Sequence, residues 1–379
     1  IISKLKNGTY RFKPVRRTHI PKDKRNKKKN VKKRPLGLPG WNDKLVQEVM
    51  RMILESYYEP QFRLSSHGFR PNKGCHTALS SIYKTWIGVK WFIEGDIRGC
   101  FDNLNFDIII QIIGRKIKDE RFLKLLKQML KAGYVEDWKY HQTYSGAPQG
   151  GILSPLISNI VLNELDEFVE DYLIPKYTNG GRHRKINPEY STLREKMKTA
   201  KRHNDVLRYK QLSKARRKVP VYDPNNPLYR RLRYVRYADD FILGFIGSKE
   251  EAEAIKEEIR QFLKQLKLEM SQEKTLITHA STEKARFLNY HITTIWDDSK
   301  TTIRKDNGAK ARSCNGHIRF EIPKDVVQHW KAKVMKNGKP IHRSELIFLS
   351  DYDIISTYES ELQGLINYYT MVHNQSRLD

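Results

Sequence analysis

Apolar positions along the chain fall into short periodic runs separated by long hydrophilic stretches. Leu45, Val49, Met52, Ile53 and Tyr57 recur at a helical period and predict a helix over 43–58. Similar spacing predicts helices over 77–86, 108–117, 121–132, 152–172, 249–266 and 324–335. In a last helix, over 353–371, Ile354, Ile355, Tyr358, Leu362, Leu365, Ile366 and Tyr369 form one apolar face. Residues 91–97 read as a strand ending at Asp96, and two more strands are expected near 269–278 and 287–295. Tyr234-Val235 and Phe241-Ile242-Leu243 flank Tyr237-Ala238-Asp239-Asp240, a strand, a tight turn and a strand with two acids at the tip. Residues 35–40 form a turn-rich hinge and 145–151 a Gly/Pro loop. This order is α+β with no βαβ repeat, which excludes a doubly wound parallel sheet.

Charge changes the picture. The 379 residues carry a net +28, and the excess is local. Residues 1–34 hold 15 basic side chains and one acid, residues 176–236 hold 19 and 4, and the remainder is close to neutral. Two basic blocks attached to an ordinary body, with Tyr and His interspersed, point to a polyanionic partner, most simply nucleic acid. Cys75, Cys100 and Cys314 lack metal-ligand spacing and imply no disulfide framework, which fits a reducing compartment such as bacterial cytoplasm or an organelle matrix. No apolar run approaches the roughly 20 residues of a membrane span, so no membrane partner is expected. A chain that begins at Ile1 is expected to be a fragment.

The acids carry the chemistry. Adjacent like charges do not help a hairpin fold, and a divalent cation offsets their repulsion. Phosphoryl transfer at two Mg2+ ions needs carboxylates from separate strands. Asp96 at a strand end and Asp239 at the hairpin tip can supply them, while Asp240 is expected on the opposite side of its strand, tuning the site or touching one metal. In Asp96-Ile97-Arg98-Gly99-Cys100-Phe101-Asp102 the small residues allow a triphosphate to approach backbone N–H groups, and Phe101 can pack against a nucleotide sugar or simply belong to the core.

These motifs resemble the group II intron-encoded reverse transcriptase and maturase family. The resemblance rests on Asp96 with Phe101, the loop Gly146-Ala147-Pro148-Gln149-Gly150-Gly151-Ile152-Leu153-Ser154-Pro155 and the Tyr-Ala-Asp-Asp box. Arg34-Pro35-Leu36-Gly37-Leu38-Pro39 and Ser66-His67-Gly68-Phe69-Arg70-Pro71 resemble its fingers blocks, Gln272-Glu273-Lys274-Thr275 and Phe287-Leu288-Asn289-Tyr290 the blocks after the hairpin, and 358–369 its thumb, domain X. The resemblance implies a right-hand polymerase: basic arm and fingers over 1–90, palm over 91–318 interrupted by a basic insertion at 176–233, and thumb over 319–379. It implies Asp96, Asp239, Asp240 and the Ile97 carbonyl as metal ligands. For the incoming dNTP it implies Lys22, Arg34, Arg98, Gly99, Cys100, Phe101 as steric gate, Gln149 and Lys274. Template and primer contacts would be Arg16, Arg70, Pro148, Gly150 and Tyr237, with Arg16 and Arg70 equally able to be structural. The implied function is RNA-directed DNA synthesis on an RNA template–DNA primer duplex, with intron RNA as second partner and target DNA reached through regions outside this chain.

Three departures from the family pattern stand out. Phe106 replaces a usual His after the Asp-Phe block, the basic insertion is absent from compact members, and no endonuclease or zinc motif follows the thumb. Tyr190, Tyr209, Tyr222, Tyr229 and Tyr234, in or beside the insertion, can stack on RNA bases or anchor the insertion to the palm. Two other readings stay open: a non-catalytic RNA-binding splicing maturase, which has no need of intact metal carboxylates, and a reverse transcriptase of a defence or retron system.

Overall fold

The computed structural model describes residues 1–21, 33–147, 150–181, 184–223, 226, 228–297, 299–303, 310–312 and 314–374. Lys22, Pro148 and Gln149, and the arm anticipated over 22–32, lie outside the described residues. The helices are α1 Ile2–Lys6, α2 Trp41–Tyr58, α3 Cys75–Thr85, α4 Cys100–Asn103, α5 Phe106–Lys116, α6 Glu120–Leu130, α7 Ser154–Glu167, α8 Ile174–Lys176, α9 Pro188–Arg202, α10 Val206–Lys218, α11 Lys249–Gln265, α12 Lys324–Val334 and α13 Asp351–Tyr368. The strands relevant here are β1 Val15–Pro21, β2 Lys33–Leu38, β3 Trp91–Asp96, β4 Tyr134–Glu136, β5 Lys139–His141, β6 Arg231–Tyr237, β7 Asp240–Ile246, β8 Ile277–His279, β9 Ala285–Phe287, β10 Tyr290–Thr294, β11 Thr301–Ile303, β12 Lys310–Arg312 and β13 Ile318–Glu321. No described helix is long and apolar enough to cross a membrane.

The central sheet runs β6-β7-β3-β8 and is antiparallel throughout. Alternation along its strands divides the interior in two. Ile93, Tyr234, Phe241, Leu243 and Phe245 face helices α5, α6, α7 and α11. Phe92, Val235 and Ile242 face the other way, against α3, the β13-β10-β9 sheet and the thumb helices. A second sheet, β2-β1-β4-β5, carries the fingers.

The helix over 43–58 forms, starting at Trp41, but its packing face is not the one the periodicity picked out. Leu45, Val49, Met52, Ile53 and Tyr57 face solvent, and Asp43, Val46, Gln47, Met50, Leu54 and Tyr58 are buried. Buried Asp43 and Gln47 are tolerated because both are bonded: Tyr10 Oη and Lys13 N donate to Asp43 (2.7 and 3.1 Å), and Ile152 N donates to Gln47 Oε1 (3.0 Å).

Other boundaries shift for local reasons. The long helix expected over 152–172 starts at Ser154, where Pro155 suits the first turn, and loosens into a π-turn at Phe168–Leu173. The strand expected over 269–278 is only Ile277–His279, because Thr275 Oγ1 and N both donate to Ser271 O and close a turn that contains Lys274. The insertion is the antiparallel helix pair α9–α10, and its expected end at 233 is too late: Arg231 already starts β6, and Arg230 pairs with Glu251 at 2.7 Å. The Ile186–Tyr222 bridge ties its two ends together.

At the helix side of the sheet lies a buried ion pair. Arg236 Nη2 donates to Asp166 Oδ2 at 2.6 Å and Nε to Oδ1 at 2.8 Å, with both side chains fully buried. The remaining guanidinium hydrogens go to Asn159 Oδ1, Ala238 O and Ser66 Oγ, and Tyr234 Oη donates to Asp166 Oδ1. Removing one member leaves the other charge stranded. Asp166→Ala is therefore expected to cost about 3–5 kcal/mol in urea unfolding, and an Asp166→Leu/Arg236→Met pair distinctly less. Equal losses in the two proteins would contradict this account.

Candidate active site

The site is built on β3 and the β6–β7 hairpin. In register, Asp96 stands directly across from Asp240, and Tyr237 pairs with Asp240 at the hairpin end. The turn is Ala238-Asp239, with Ala238 at φ +55. Asp240 thus lies on the same face as Asp96, which corrects the expectation that it turns away. Cross-strand partners share a face, and the two-residue turn makes Asp240 the first paired residue of β7.

Burial and the neighbouring acids raise both carboxyls of the hairpin tip. The Asp240 carboxyl is pushed up to about 7 by burial, by Asp239 and by Asp96. Asp239 is raised by burial and by Asp96, with Lys274 and Arg34 working against the rise. Lys274 Nζ donates to both Asp96 oxygens, at 3.0 and 2.9 Å. Burial opposes the Lys274 charge, and the Asp96 bond with Asp240 and Asp239 nearby outweighs it, so the ammonium is held above its ordinary range. Lys274 and Arg34, at the start of β2, therefore belong to the site electrostatically.

Among the described residues, no group of three or more His, Cys, Asp or Glu is disposed as it stands to hold a metal ion. The donors fit a hard cation all the same, since converging carboxylate oxygens whose charge is only partly balanced by one ammonium suit a divalent ion with oxygen preference.

The segment after Asp96 is shaped by its glycine. Gly99 sits at φ +53 and opens the short α4, and Asp102 N and Asn103 N both donate to Gly99 O. Arg98 N donates to Glu269 O at 2.8 Å, and its exposed side chain lies 3.5 Å from Glu269, a weak surface tie. The Ile97 and Cys100 side chains are buried, Cys100 Sγ lying 3.8 Å from Ser158 Oγ, so both can serve only through backbone atoms. Phe101 is half-buried and meets Phe69 edge-on at 6.3 Å. Phe106 is core.

The Gly-rich loop bridges palm and fingers. Ala147 N donates to Phe101 O, and Gly146 N to Leu104 O, each at 2.8 Å. Gly150, at φ +102, sits so close to β2 that a Cβ would fall 2.6 Å from Gly37 O. A cavity of about 290 Å3 lies between this loop, the fingers sheet and α2, lined by Arg17, Gly37, Asp43, Asp102 and Gly146 among others, and none of the three acids faces it.

Of the expected template contacts, Arg16 is exposed on β1. Arg70 is not free for one: its buried guanidinium donates to Glu59, Arg63 O and Ser66 O and lies over the Phe62 ring. Tyr237 is half-buried and packs against the cluster that holds Leu365, Tyr368 and Tyr369.

Sequence reasoning missed the residues that hold the turn. Arg236 Nη1 donates to Ala238 O at 2.9 Å, and His67 N donates to Arg236 O. A Cβ on Gly68 would lie 2.3 Å from Ala238 N, and Asn159 Nδ2 holds Gly68 O. The available signal was a lone Arg inside an apolar strand, with a Gly-containing block far upstream.

The chain belongs to the reverse transcriptase (RNA-dependent DNA polymerase) family, whose model matches residues 22–192 and 197–292, and residues 320–379 match the type II intron maturase family. This family uses divalent metal. Over 395 aligned residues the chain is 44% identical to the group II intron-encoded protein LtrA of Lactococcus lactis subsp. cremoris, covering 100% of this chain and 64% of that protein. It is 37% identical to the putative COX1/OXI3 intron 1 protein of Saccharomyces cerevisiae, covering 99% of this chain and 45% of the relative. The chain thus spans less than two thirds of the length of these curated relatives.

His67 supplies a pH test of the buttress. Burial pushes its imidazole down to about 4, with Lys73, Arg70 and Arg236 adding to the effect. The native state then binds fewer protons than the unfolded chain between about 6.5 and 4, so stability is lost as pH falls through that window. His67→Gln is expected to flatten the fall in melting temperature between pH 7 and 5. An unchanged slope would mean that His67 is not held neutral.

Proposed function

We propose that this chain is the polymerase portion of a group II intron reverse transcriptase and maturase, which copies an RNA template by adding dNTPs to a primer 3′-OH and also binds intron RNA. The observation that carries the reading is that Asp240 stands across from Asp96 in the sheet, with Asp239 in the adjoining turn near enough to feel the Asp96 charge, and Lys274 and Arg34 close enough to act on it. Asp96 and Asp239, with the Ile97 carbonyl, are the groups that would hold two Mg2+ ions, with Asp240 beside them, and such ions would supply Lewis acidity for the attacking hydroxyl and charge neutralisation for the leaving pyrophosphate.

The chain's own groups do the rest. Lys274 keeps positive charge against Asp96 and is placed near the primer end or the triphosphate. Arg34 and Lys22 neutralise the triphosphate from the fingers. Gly99 and Gly150 allow close backbone approach, and Gln149 and Pro148 border the nascent pair. Phe101, steadied by Phe69, stands where a 2′-hydroxyl would meet its ring, so it selects the deoxy sugar. Arg16 and Tyr237 flank the template and primer.

The α9–α10 pair provides the intron grip. α10 has six basic residues, no acid and no buried side chain. Tyr209 and Tyr222 are exposed enough to stack on bases, whereas Tyr234 is an anchor on Asp166 and Tyr229 lies under Arg184 and Arg231. Target DNA is reached through parts of the whole protein beyond this chain.

A non-catalytic maturase is the competing reading, and Asp239→Asn separates the two. The substitution is expected to lower primer extension on RNA with Mg2+ by at least about 100-fold while leaving intron RNA affinity within about twofold. A wild-type protein that makes no cDNA would end the polymerase reading. Phe101→Ala is expected to admit NTPs where wild type takes only dNTPs, read as a fall in the dNTP/NTP ratio of kcat/KM. An unchanged ratio would remove the gate role. Replacing 188–218 by a short linker across the Ile186–Tyr222 bridge is expected to preserve extension on a generic template and to weaken intron RNA binding by on the order of 10-fold or more at physiological salt. Unchanged intron affinity would contradict the grip.

A further inference from the structure

We propose that the groove between residues 11–14, α6 and the β4–β5 hairpin is a second RNA-binding surface. It takes a single-stranded segment by stacking bases on Tyr140 and Trp138 while Lys124, Lys127 and Lys131 hold its phosphates. The proposal rests on the RNA-binding reading above and names a surface that reading does not use.

The first observation is the hairpin tip. Asp137 and Trp138 form a two-residue turn with φ of +49 and +62, a shape that favours Asn-Gly. A left-handed conformation costs a residue with a Cβ about 1–2 kcal/mol. Trp138 is 99% exposed, so its indole recovers nothing by burial. Folding alone gives no reason for a tryptophan there, whereas a stacking partner does.

The second observation is the wall of the groove. Tyr140 is 56% exposed, and its ring lies over Gly133, where a Cβ would fall 2.6 Å from ring carbon Cε2. The missing side chain lets the ring settle against the backbone with much of its surface still open. The groove is open, with a volume of about 590 Å3, and Arg11, Lys124, Lys127 and Lys131 line it without any acid among the lining residues. Lys124 and Lys131 have no ion-pair partner among the described residues. Arg11 donates only to the carbonyls of Gly8 and Tyr10, which leaves its charge uncompensated. Lys127 meets Asp107 at 3.5 Å on an exposed surface, a weak tie.

Four cations, no acid among the lining residues and the exposed Tyr140 ring, with the Trp138 ring two residues away at the hairpin tip, match a backbone-tracking groove with a stacking platform. A duplex hides its base faces and gains nothing from the rings, so the chemistry favours a single strand or an open loop of RNA. None of Asp96, Asp239 and Asp240 lines this groove.

The test is photocrosslinking of the full chain to a short single-stranded RNA carrying 4-thiouridine, mapped by mass spectrometry. Crosslinks are expected on Trp138 or Tyr140, with little from an RNA duplex of equal length. Trp138→Ala/Tyr140→Ala should lower the yield at that hairpin by about tenfold, and Trp138→Phe/Tyr140→Phe should retain it. Lys124→Ala/Lys131→Ala should reduce the salt slope of single-strand binding by about 1.4, near 0.7 for each phosphate no longer neutralised. Primer extension on a generic template should stay within twofold of wild type in all three variants. Crosslinks confined to other segments, equal labelling by duplex, or a Phe pair that behaves as the Ala pair would each overturn the proposal. A wild-type chain inactive in primer extension would sink the polymerase reading alone, because crosslinking requires no catalysis.

Discussion

Arg236 and Asp166 form the contact on which the geometry of the acidic hairpin depends. A guanidinium with no exposed surface has to place every hydrogen bond inside the protein, and this one does so on α7, on the 66–68 block and on the hairpin's own turn. Three segments distant in sequence are thereby fixed against one charged group. The turn needs that support, because Ala238 is held at φ +55, a conformation that persists in a non-glycine residue only when the surroundings over-determine it. Gly68 completes the clamp by leaving no side chain where Ala238 N must pass. Two apolar residues at 166 and 236 could be as stable as the pair. They could not hold the Ala238 carbonyl.

A rigid turn also explains how three acids can be kept together. Electrostatics alone would push Asp239 and Asp240 away from Asp96, and the raised Asp240 and Asp239 record that cost. The sheet ladder between β3 and β7 fixes Asp96 opposite Asp240 regardless. Lys274 contributes part of the missing positive charge from its closed turn. The thumb match is tied in nearby: Tyr368 Oη donates to Leu288 O and Tyr369 Oη to Asn289 O, which fixes the end of α13 to the turn between β9 and β10.

Much of this was legible because the period-2 and period-3.6 signals were clean where packing is one-sided. β3 ends at Asp96 as its apolar run suggests, and the hairpin falls where two apolar runs flank a pair of acids. α2 shows the limit. Its apolar residues lie on both faces, and the face chosen by periodicity is the exposed one, since local spacing cannot tell that Tyr10 and Ile152 will satisfy Asp43 and Gln47. Asp240 was assigned to the wrong side because alternation was counted through the turn, whereas the ladder restarts after it. Arg70 carries no local mark of its role, for its partners, Glu59, Arg63 and Ser66, meet it only once the loop closes.

The distribution of charge follows from the same economy of support. A palm that must hold three carboxylates near a polyanionic substrate cannot also be strongly basic at its core without collapsing cations onto those acids, and the body outside the two blocks is near neutral. One of the two blocks is a module with its own closure. α9 and α10 pack on each other, and the Ile186–Tyr222 bridge shuts the module off before β6 begins. Charge carried this way adds long-range attraction for nucleic acid, which salt can tune, and leaves the register of the acids untouched. Affinity and chemistry are therefore separable in this fold: the helix pair can change length or sequence without moving Asp96, Asp239 or Asp240, whereas a single atom added at Gly68 cannot be accommodated without moving Ala238.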